Sequence, residues 1–498
     1  MKTKLYKILI ILAAVICLCT DSLAIDLGER VIKTKLSNGV TVLMLERHFS
    51  PTVSLYIRHR VGAVDEIKGE SGAAHLLEHM MFKGTTTIGT NNFSAEKILL
   101  ENIESAGDAL DKEKRKADKA DRKLIAKLTN QLKKLQTQHK HYIIPGEIDR
   151  LYTENGGLDM NASTGQDLTT YNVSLPSNKI ELWARIETDR LLNPVFREFY
   201  TERDVVMEER RQVVESDPDG KLYEQFISTA YKAHPYGRPI IGWSEDLAYL
   251  NPASLRKIFA KYKAPESIVI AVIGDINPQE TLKLIDKYFG RIPSVQDMKI
   301  DIVPEEPIQT EERRVSITFE ANPMMIIGFH KPNAPAYDDF VFDVLETILT
   351  TGRTSRLYRM LVTEMQIAES ITASNGIPGS RYPNLFTIFA KPRHPHTNAE
   401  LENNILKEIE QLKNEPVTDA ELTKAKNHLK MGYIQSLDSN AELASILSYN
   451  EVLLGDFRYF SNYLDLIEKV TAADIQKAAM LYLNKENRTI AVLNKKKD

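Results

Sequence analysis

Cysteine is nearly missing from this chain: there are two in 498 residues, Cys17 and Cys19, and both fall within the first 24. The remainder can form no disulfide and offers no thiol nucleophile, so its stability has to come from an apolar core. Long apolar runs are equally scarce. The block Ile8 to Leu18 is too short for an ordinary transmembrane span, and no later stretch reaches about 18 apolar residues. Basic charge is in deficit as well. Without Lys2, Lys4, Lys7 and Asp21, 61 basic residues stand against 67 acidic ones, a formal net charge of −6, which argues against nucleic acid as a partner.

What is present begins with an export signature. Three lysines, the apolar block and Asp21-Ser-Leu-Ala24, with small residues three places and one place before a cut, read as a secretory signal peptide over residues 1–24. The expected product is exported, periplasmic in a Gram-negative host and otherwise secreted, with no membrane span. The roughly 470 residues that follow exceed one core's usual size and call for at least two domains. The chain also repeats itself. Ser254-Leu-Arg-Lys-Ile-Phe-Ala-Lys-Tyr262 and Ile268–Ile273 are echoed 220 residues later by Asp474-Ile-Gln-Lys-Ala-Ala-Met-Leu-Tyr482 and Thr489–Leu493. Each copy is a helix feeding an apolar strand, and each half opens with alternating strands, Val40–Arg58 and Val315–His330. The expected architecture is α+β: two homologous domains, 25–292 and 315–498, each a mainly antiparallel sheet packed with helices. Residues 293–314, polar and proline-bearing, are the expected linker.

The chemistry concentrates in Ser71-Gly-Ala-Ala-His75-Leu-Leu-Glu78-His79-Met-Met-Phe-Lys-Gly84, which reads as a short helix stopped near Gly84. At 100° per residue, His79 lies about 40° from His75 and Glu78 about 60° to the other side, so all three project from one face. Two imidazoles one turn apart fit a zinc ion, and the carboxylate between them can hold a water on it; this is the HExxH logic in reverse order. The same residues fit an amphipathic helix whose histidines are held by core hydrogen bonds, and a third ligand would separate the two readings. The helix Tyr200–Glu215 offers one. Glu202 and Glu209, seven residues apart, share a face, whereas Glu208 is turned about 100° away. Glu209 can complete a three-ligand open site.

Between these elements, Ala109–His141 is dominated by charged residues and glutamine, with Leu124, Ile125, Leu128, Leu132 and Leu135 at helical spacing. A solvated helical hairpin over 105–147, ending near Pro145-Gly146, is expected in the first domain, either as a docking arm or gate or as an insertion without chemistry. His139 and His141 are expected to face solvent. Gly156–Thr164 and Asp167–Pro176 read as a glycine turn and a Thr/Tyr/Val-rich strand, one that could lie at a sheet edge and recruit an extended peptide.

Taken together, His75-Leu-Leu-Glu78-His79, Asn161-Ala-Ser-Thr164, Glu202–Glu209, His234-Pro-Tyr-Gly237, Val272-Ile-Gly-Asp275 and Ser355-Arg-Leu-Tyr358 resemble the insulinase/pitrilysin family of inverted-zincin metallopeptidases, over nearly the whole chain beyond residue 24. The resemblance implies one Zn2+ per chain on His75, His79 and Glu209, with Glu78 as catalytic base and Glu202 as a supporting second carboxylate. It further implies that the strand around Asn161 and Ala162 pairs with a peptide or unfolded-protein substrate, and that His234 is structural. The implied function is a zinc endopeptidase; the alternative, also found in the family, is a non-catalytic peptide-binding or scaffold subunit. Two departures stand out. The hairpin widens the gap between His79 and Glu209. In the second half, Val362 and Glu369 stand where the family's peptidases carry an arginine and a tyrosine that hold the substrate. A homologous partner subunit supplying that pair, or a homodimer, is the expected assembly.

Overall fold

The computed structural model describes residues 28–294 and 303–496. The signal-peptide segment, and with it both cysteines, lies outside the described residues, as does the middle of the expected linker.

Two sheets organise the chain, each built from an apolar strand that follows one copy of the repeat. In the first half, β1 (Ile32–Lys35), β2 (Thr41–Glu46) and β3 (Thr52–His59) lead into helices α1 (Ala73–Met80), α2 (Phe93–Lys114), α3 (Arg122–His139) and α4 (Glu147–Glu154). Then come β4 (Leu158–Thr164), β5 (Thr169–Pro176), α5 (Ile180–Leu192), α6 (Phe199–Arg210), α7 (Pro218–Ala230), α8 (Pro252–Tyr262), β6 (Ile268–Gly274) and α9 (Pro278–Phe289). The second half runs β7 (Arg313–Phe319), β8 (Met324–Lys331), α10 (Tyr337–Thr350), β9 (Ala368–Ile377), β10 (Asn384–Pro392) and α11 (Asn398–Asn414). It closes with α12 (Asp419–Gln435), α13 (Asn440–Leu454), α14 (Tyr459–Lys469), α15 (Ala472–Tyr482) and β11 (Arg488–Lys495).

The strand orders, β1-β2-β6-β3-β5-β4 and β7-β11-β8-β10-β9, are the same apart from the extra β1. The repeat therefore has a structural meaning. β6 lies parallel to β2 and antiparallel to β3, and β11 lies parallel to β7 and antiparallel to β8. Every residue of β6 is buried, as expected of a central strand covered on both faces.

The cover on the second face comes from the opposite half. Helix α13 places Leu443, Ala444 and Leu447 against Leu43, Leu45, Val269 and Ala271 of the first sheet. Reciprocally, α7 places Leu222, Phe226 and Ile227 against Met324, Ile326, Ala491 and Leu493 of the second. Polar contacts reinforce the exchange. Asp167 accepts from Tyr236 Oη at 2.5 Å and from the backbone N–H groups of Ser380 and Arg381, while Arg381 pairs with Asp65 at 2.6 Å. The proline-bearing crossing is docked as well: Glu306 accepts from the backbone N–H groups of Lys232, Ala233 and His234.

The charged hairpin is formed by α2 and α3, with Leu132 buried and Ile125, Leu128 and Leu135 partly buried along the seam. One expectation for it fails. His141 is exposed, but His139 is buried and lies 2.8 Å from Glu96, which also pairs with the buried Arg197. The polar partners that make burial of His139 tolerable come from α2 and from the segment before α6, so the composition of the hairpin does not announce them. A second expectation is reversed in detail. The Thr/Tyr/Val-rich strand, β5, is interior, paired to both β3 and β4, and the sheet edge is β4, the stretch after the glycine turn.

Candidate metal centre and peptide-binding edge

Helix α1 forms where the sequence alternates small and large apolar residues with three polar ones. Ala73, Ala74, Leu76, Leu77 and Met80 face the core, leaving His75, Glu78 and His79 on the opposite side. Its start is fixed by Gly72, at φ 86°, where a Cβ would come within 2.6 Å of Ile241 O, and by Glu66, whose carboxylate accepts from the N–H groups of Gly72 and Ala74. The helix ends at Met80, and the following loop reverses at Gly84, φ 92°. Arg197 clamps that loop by donating to the carbonyls of Lys83, Thr85 and Ile88.

Helix α6 crosses α1 and continues as a π-helical turn over Arg211–Glu215. Glu209 faces both histidines: its carboxylate oxygens lie 3.8 Å from His75 Nε2 and 3.6 Å from His79 Nε2. One ligand atom from each of the three residues falls within 4.8 Å of the other two, and among the described residues this is the only such cluster of three. Glu202, two turns earlier on the same face, sits 3.0 Å from His79 Nδ1, and Lys83 holds its other oxygen at 2.6 Å. Glu208 points away and pairs with Arg211.

The electrostatics suit a cation at this point. Burial, followed by the neighbouring His79, lowers the His75 pKa to about 4, so this imidazole is neutral and has a lone pair to offer. Its buried Nδ1 has no hydrogen-bond partner. The hydrogen bond to His79, reinforced by Lys83, holds Glu202 ionised with a pKa of about 2, and Glu202 in turn raises His79. Two imidazoles and a carboxylate converge with no cation of the chain between them, and the outer carboxylate fixes the tautomer of one imidazole. This donor set fits zinc. Burial raises the carboxyl of Glu78 above the ordinary carboxylate range, opposed by a 2.5 Å hydrogen bond from Thr164 Oγ1.

Thr164 ends the edge strand β4, where exposure alternates so that Met160, Ala162 and Thr164 face inward toward α1. On this edge strand the backbone N–H of Ala162 donates to the side-chain oxygen of Asn161 at 2.9 Å. Next to Glu78 and His79 a cavity of about 390 Å³ opens, lined by Phe82, Ile88 and the stretch 143–149 that leads from the hairpin into α4. His234 is buried, and its ring accepts from the N–H of Tyr236. Val362 packs on the core of the second half, and Glu369 is exposed on the edge strand β9. Sequence reasoning did not assign the roles of Thr164 and Lys83. Thr164 lies in the Asn161-Ala-Ser-Thr stretch and Lys83 beside the histidine motif, but neither spacing tells which carboxylate they meet.

The fold is the two-domain architecture of M16-like peptidases. The chain belongs to the insulinase family, peptidase family M16: the profile described as Insulinase (Peptidase family M16) matches residues 41–110 and 128–243, and that described as Peptidase M16 inactive domain matches 249–429. The gap between the first two segments falls within the hairpin. The chain is 25% identical over 481 residues to the zinc protease PqqE of Helicobacter pylori, covering 95% of this chain and 92% of that protein. It is 22% identical over 474 residues to a probable mitochondrial-processing peptidase subunit beta of Arabidopsis thaliana, covering 92% and 77%. Among solved structures, a protease from Helicobacter pylori superposes with a TM-score of 0.78 at 23% identity, covering 93% of this chain and 99% of that one. The periplasmic protease PqqL of Escherichia coli superposes with a TM-score of 0.69 at 18% identity, covering 94% of this chain but 48% of that one.

Proposed function

We propose that this chain is an exported zinc endopeptidase acting on peptides or unfolded polypeptides, with His75, His79 and Glu209 holding one Zn2+ and Glu78 as general base. The observation that carries this reading is the convergence of the three ligand side chains beside a half-buried carboxylate one residue from His79. The zinc-protease names of the relatives support the metal. Bound there, zinc supplies Lewis acidity, which acidifies a water to a pKa near 7 and polarises a carbonyl. Glu78 takes the proton of the attacking water and returns one to the leaving nitrogen; its raised pKa suits both transfers at neutral pH. Thr164 aims the Glu78 carboxylate through their hydrogen bond, and Glu202 orients His79 through Nδ1. A peptide adds to β4 at Asn161 and Ala162 through backbone hydrogen bonds, giving affinity with loose sequence preference. The cavity beside Glu78 takes a side chain next to the scissile bond.

The working assembly in this reading is a pair of homologous subunits. Val362 and Glu369 cannot hold substrate as an arginine and a tyrosine would, so the partner contributes that pair. The 48% coverage of the Escherichia coli protein, whose first half alone superposes with a TM-score of 0.67, supports a pairing of two such lengths. That protein's periplasmic location and the lysine-led apolar segment before Ala24 support export. The same Val362 and Glu369 favour one second reading, a zinc-bearing subunit that binds peptides without cutting them. The experiment is cleavage of a quenched fluorescent peptide library by the purified chain, alone and with a co-purifying homologue, before and after chelation. Chelator-sensitive cleavage, alone or on addition of the homologue, supports the peptidase; zinc without cleavage in either sample supports the binding subunit.

A further inference from the structure

The internal repeat gives the zinc-site helices counterparts in the second half. Helix α10 follows β8 as α1 follows β3, and α12 precedes α13 as α6 precedes α7. Where α1 carries His75 and His79, α10 carries Asp339 and Asp343, again four residues apart. No three-ligand cluster forms there among the described residues. A cavity of about 500 Å³ opens beside these aspartates, walled by Phe340, Tyr433, Tyr459, Phe460 and Tyr463.

The two carboxylates in this cavity are in different states of pairing. Asp339 forms an ion pair with the buried Lys331. Asp343 accepts from Asn375 Nδ2 at 2.8 Å and Tyr463 Oη at 3.1 Å, and the nearby Lys331 is paired directly with Asp339 while feeling the Asp343 charge only from farther off. Burial lifts its pKa to about 7. A largely desolvated carboxylate whose one nearby cation is engaged by another acid is costly, and a further cation would relieve it. Tyr433, 7% exposed, lines the same cavity, and its buried hydroxyl has no hydrogen-bond partner. The rings are arranged in near-parallel pairs: Tyr433 with Tyr463, centroids 6.3 Å apart at 14°, and Phe340 with Tyr459, 6.1 Å apart at 13°. Aromatic faces carry negative potential and favour ammonium or guanidinium groups. On the first half's side Arg58 is stacked 5.5 Å from the centre of Tyr449, a lining residue, and is hydrogen-bonded to Ser445 and Ser448.

We propose that this cavity binds a small organic cation, an ammonium or amidinium group on an apolar body. Asp343 takes the charge, the Tyr433 hydroxyl supplies a further hydrogen bond, and the rings enclose the body. A metal ion is disfavoured because ligands are too few, and an anion because Asp339 and Asp343 both line the cavity, against His428 as the one basic side chain in its described wall. The site is separate from the zinc centre and stands whether or not the chain cleaves peptides.

The test is calorimetric titration of the full-length exported chain with benzylamine, with benzyl alcohol and benzoate as uncharged and anionic controls. Saturable benzylamine binding is expected, with none for either control. Asp343→Asn should weaken it at least about tenfold and Tyr433→Phe by about two- to tenfold. Circular dichroism checks folding; if Asp343→Asn does not fold, Tyr433→Phe, which keeps the ring, decides. Absence of saturable binding, equal binding of benzyl alcohol, or unchanged affinity in the folded variants would overturn the proposal.

Discussion

His79 Nδ1 stands 3.0 Å from Glu202 Oε1, and Lys83 secures the other oxygen of the same carboxylate at 2.6 Å. The pair leaves Nε2 of His79 as the atom turned toward Glu209. Replacing Glu202 by Gln keeps the shape but removes the charge that orients and enriches the imidazole. Zinc affinity should fall about 10- to 100-fold, as outer carboxylates of metal-bound histidines generally contribute. Competition against a chromophoric chelator measures it, and an unchanged affinity would show that the contact positions nothing.

The edge donor at Ala162 leads to a second prediction. Because its N–H is held by a side chain on the edge strand, Ala162→Pro removes the proposed peptide-docking donor. The value of kcat/KM on unstructured peptides should fall at least about tenfold, roughly the worth of one or two backbone hydrogen bonds, with zinc content unchanged. A variant that cleaves normally would place the substrate elsewhere.

How far could these features be read from the sequence? That His75, His79 and Glu209 could come together was legible because the pattern is local: a four-residue spacing on one helix and a seven-residue spacing on another fix which side chains share a face. The repeat was legible because the copies keep both helix pattern and strand hydrophobicity, and the shared pairing of β6 and β11 follows from it. What could not be read are the long-range choices. Helices α7 and α13 are apolar on the faces they bury, but nothing in either tells that its sheet belongs to the other half. His139 is buried by partners 43 residues or more away along the chain. Of two adjacent polar strands, only the register decides that β4 rather than β5 is the edge.

The buried Glu96 cluster predicts an acid limit. Burial opposes its ionisation, but hydrogen bonds from His139 and Arg197 outweigh this and hold the Glu96 pKa at about 2, below the ordinary 4.5. A depressed carboxylate contributes stability above about pH 4.5 and loses it as pH falls toward 2. Glu96→Gln, which leaves Arg197 buried without its counter-charge, should cost on the order of 3–5 kcal/mol at neutral pH and flatten the acid side of the stability curve. Urea unfolding at pH 7 and pH 3.5 tests this; equal losses at both would refute the linkage.

The exchange of helices between halves predicts coupled unfolding. A Cβ on Gly328 of β8 would lie 2.4 Å from Cζ of Phe226, the α7 residue that the first half inserts. Gly328→Ala should destabilise by about 1–3 kcal/mol through overpacking. The calorimetric transition should shift as a whole. A first-half transition left in place would contradict the interlock.

The most direct test of the peptidase reading is Glu78→Gln, measured for zinc content by mass spectrometry and for peptide cleavage on the same sample. The substitution keeps size and the Thr164 contact but removes the base. One zinc per chain, an unshifted melting temperature and loss of cleavage by about 10²–10⁴-fold are predicted. A zinc-loaded Glu78→Gln chain that cleaves at the parent rate would contradict it.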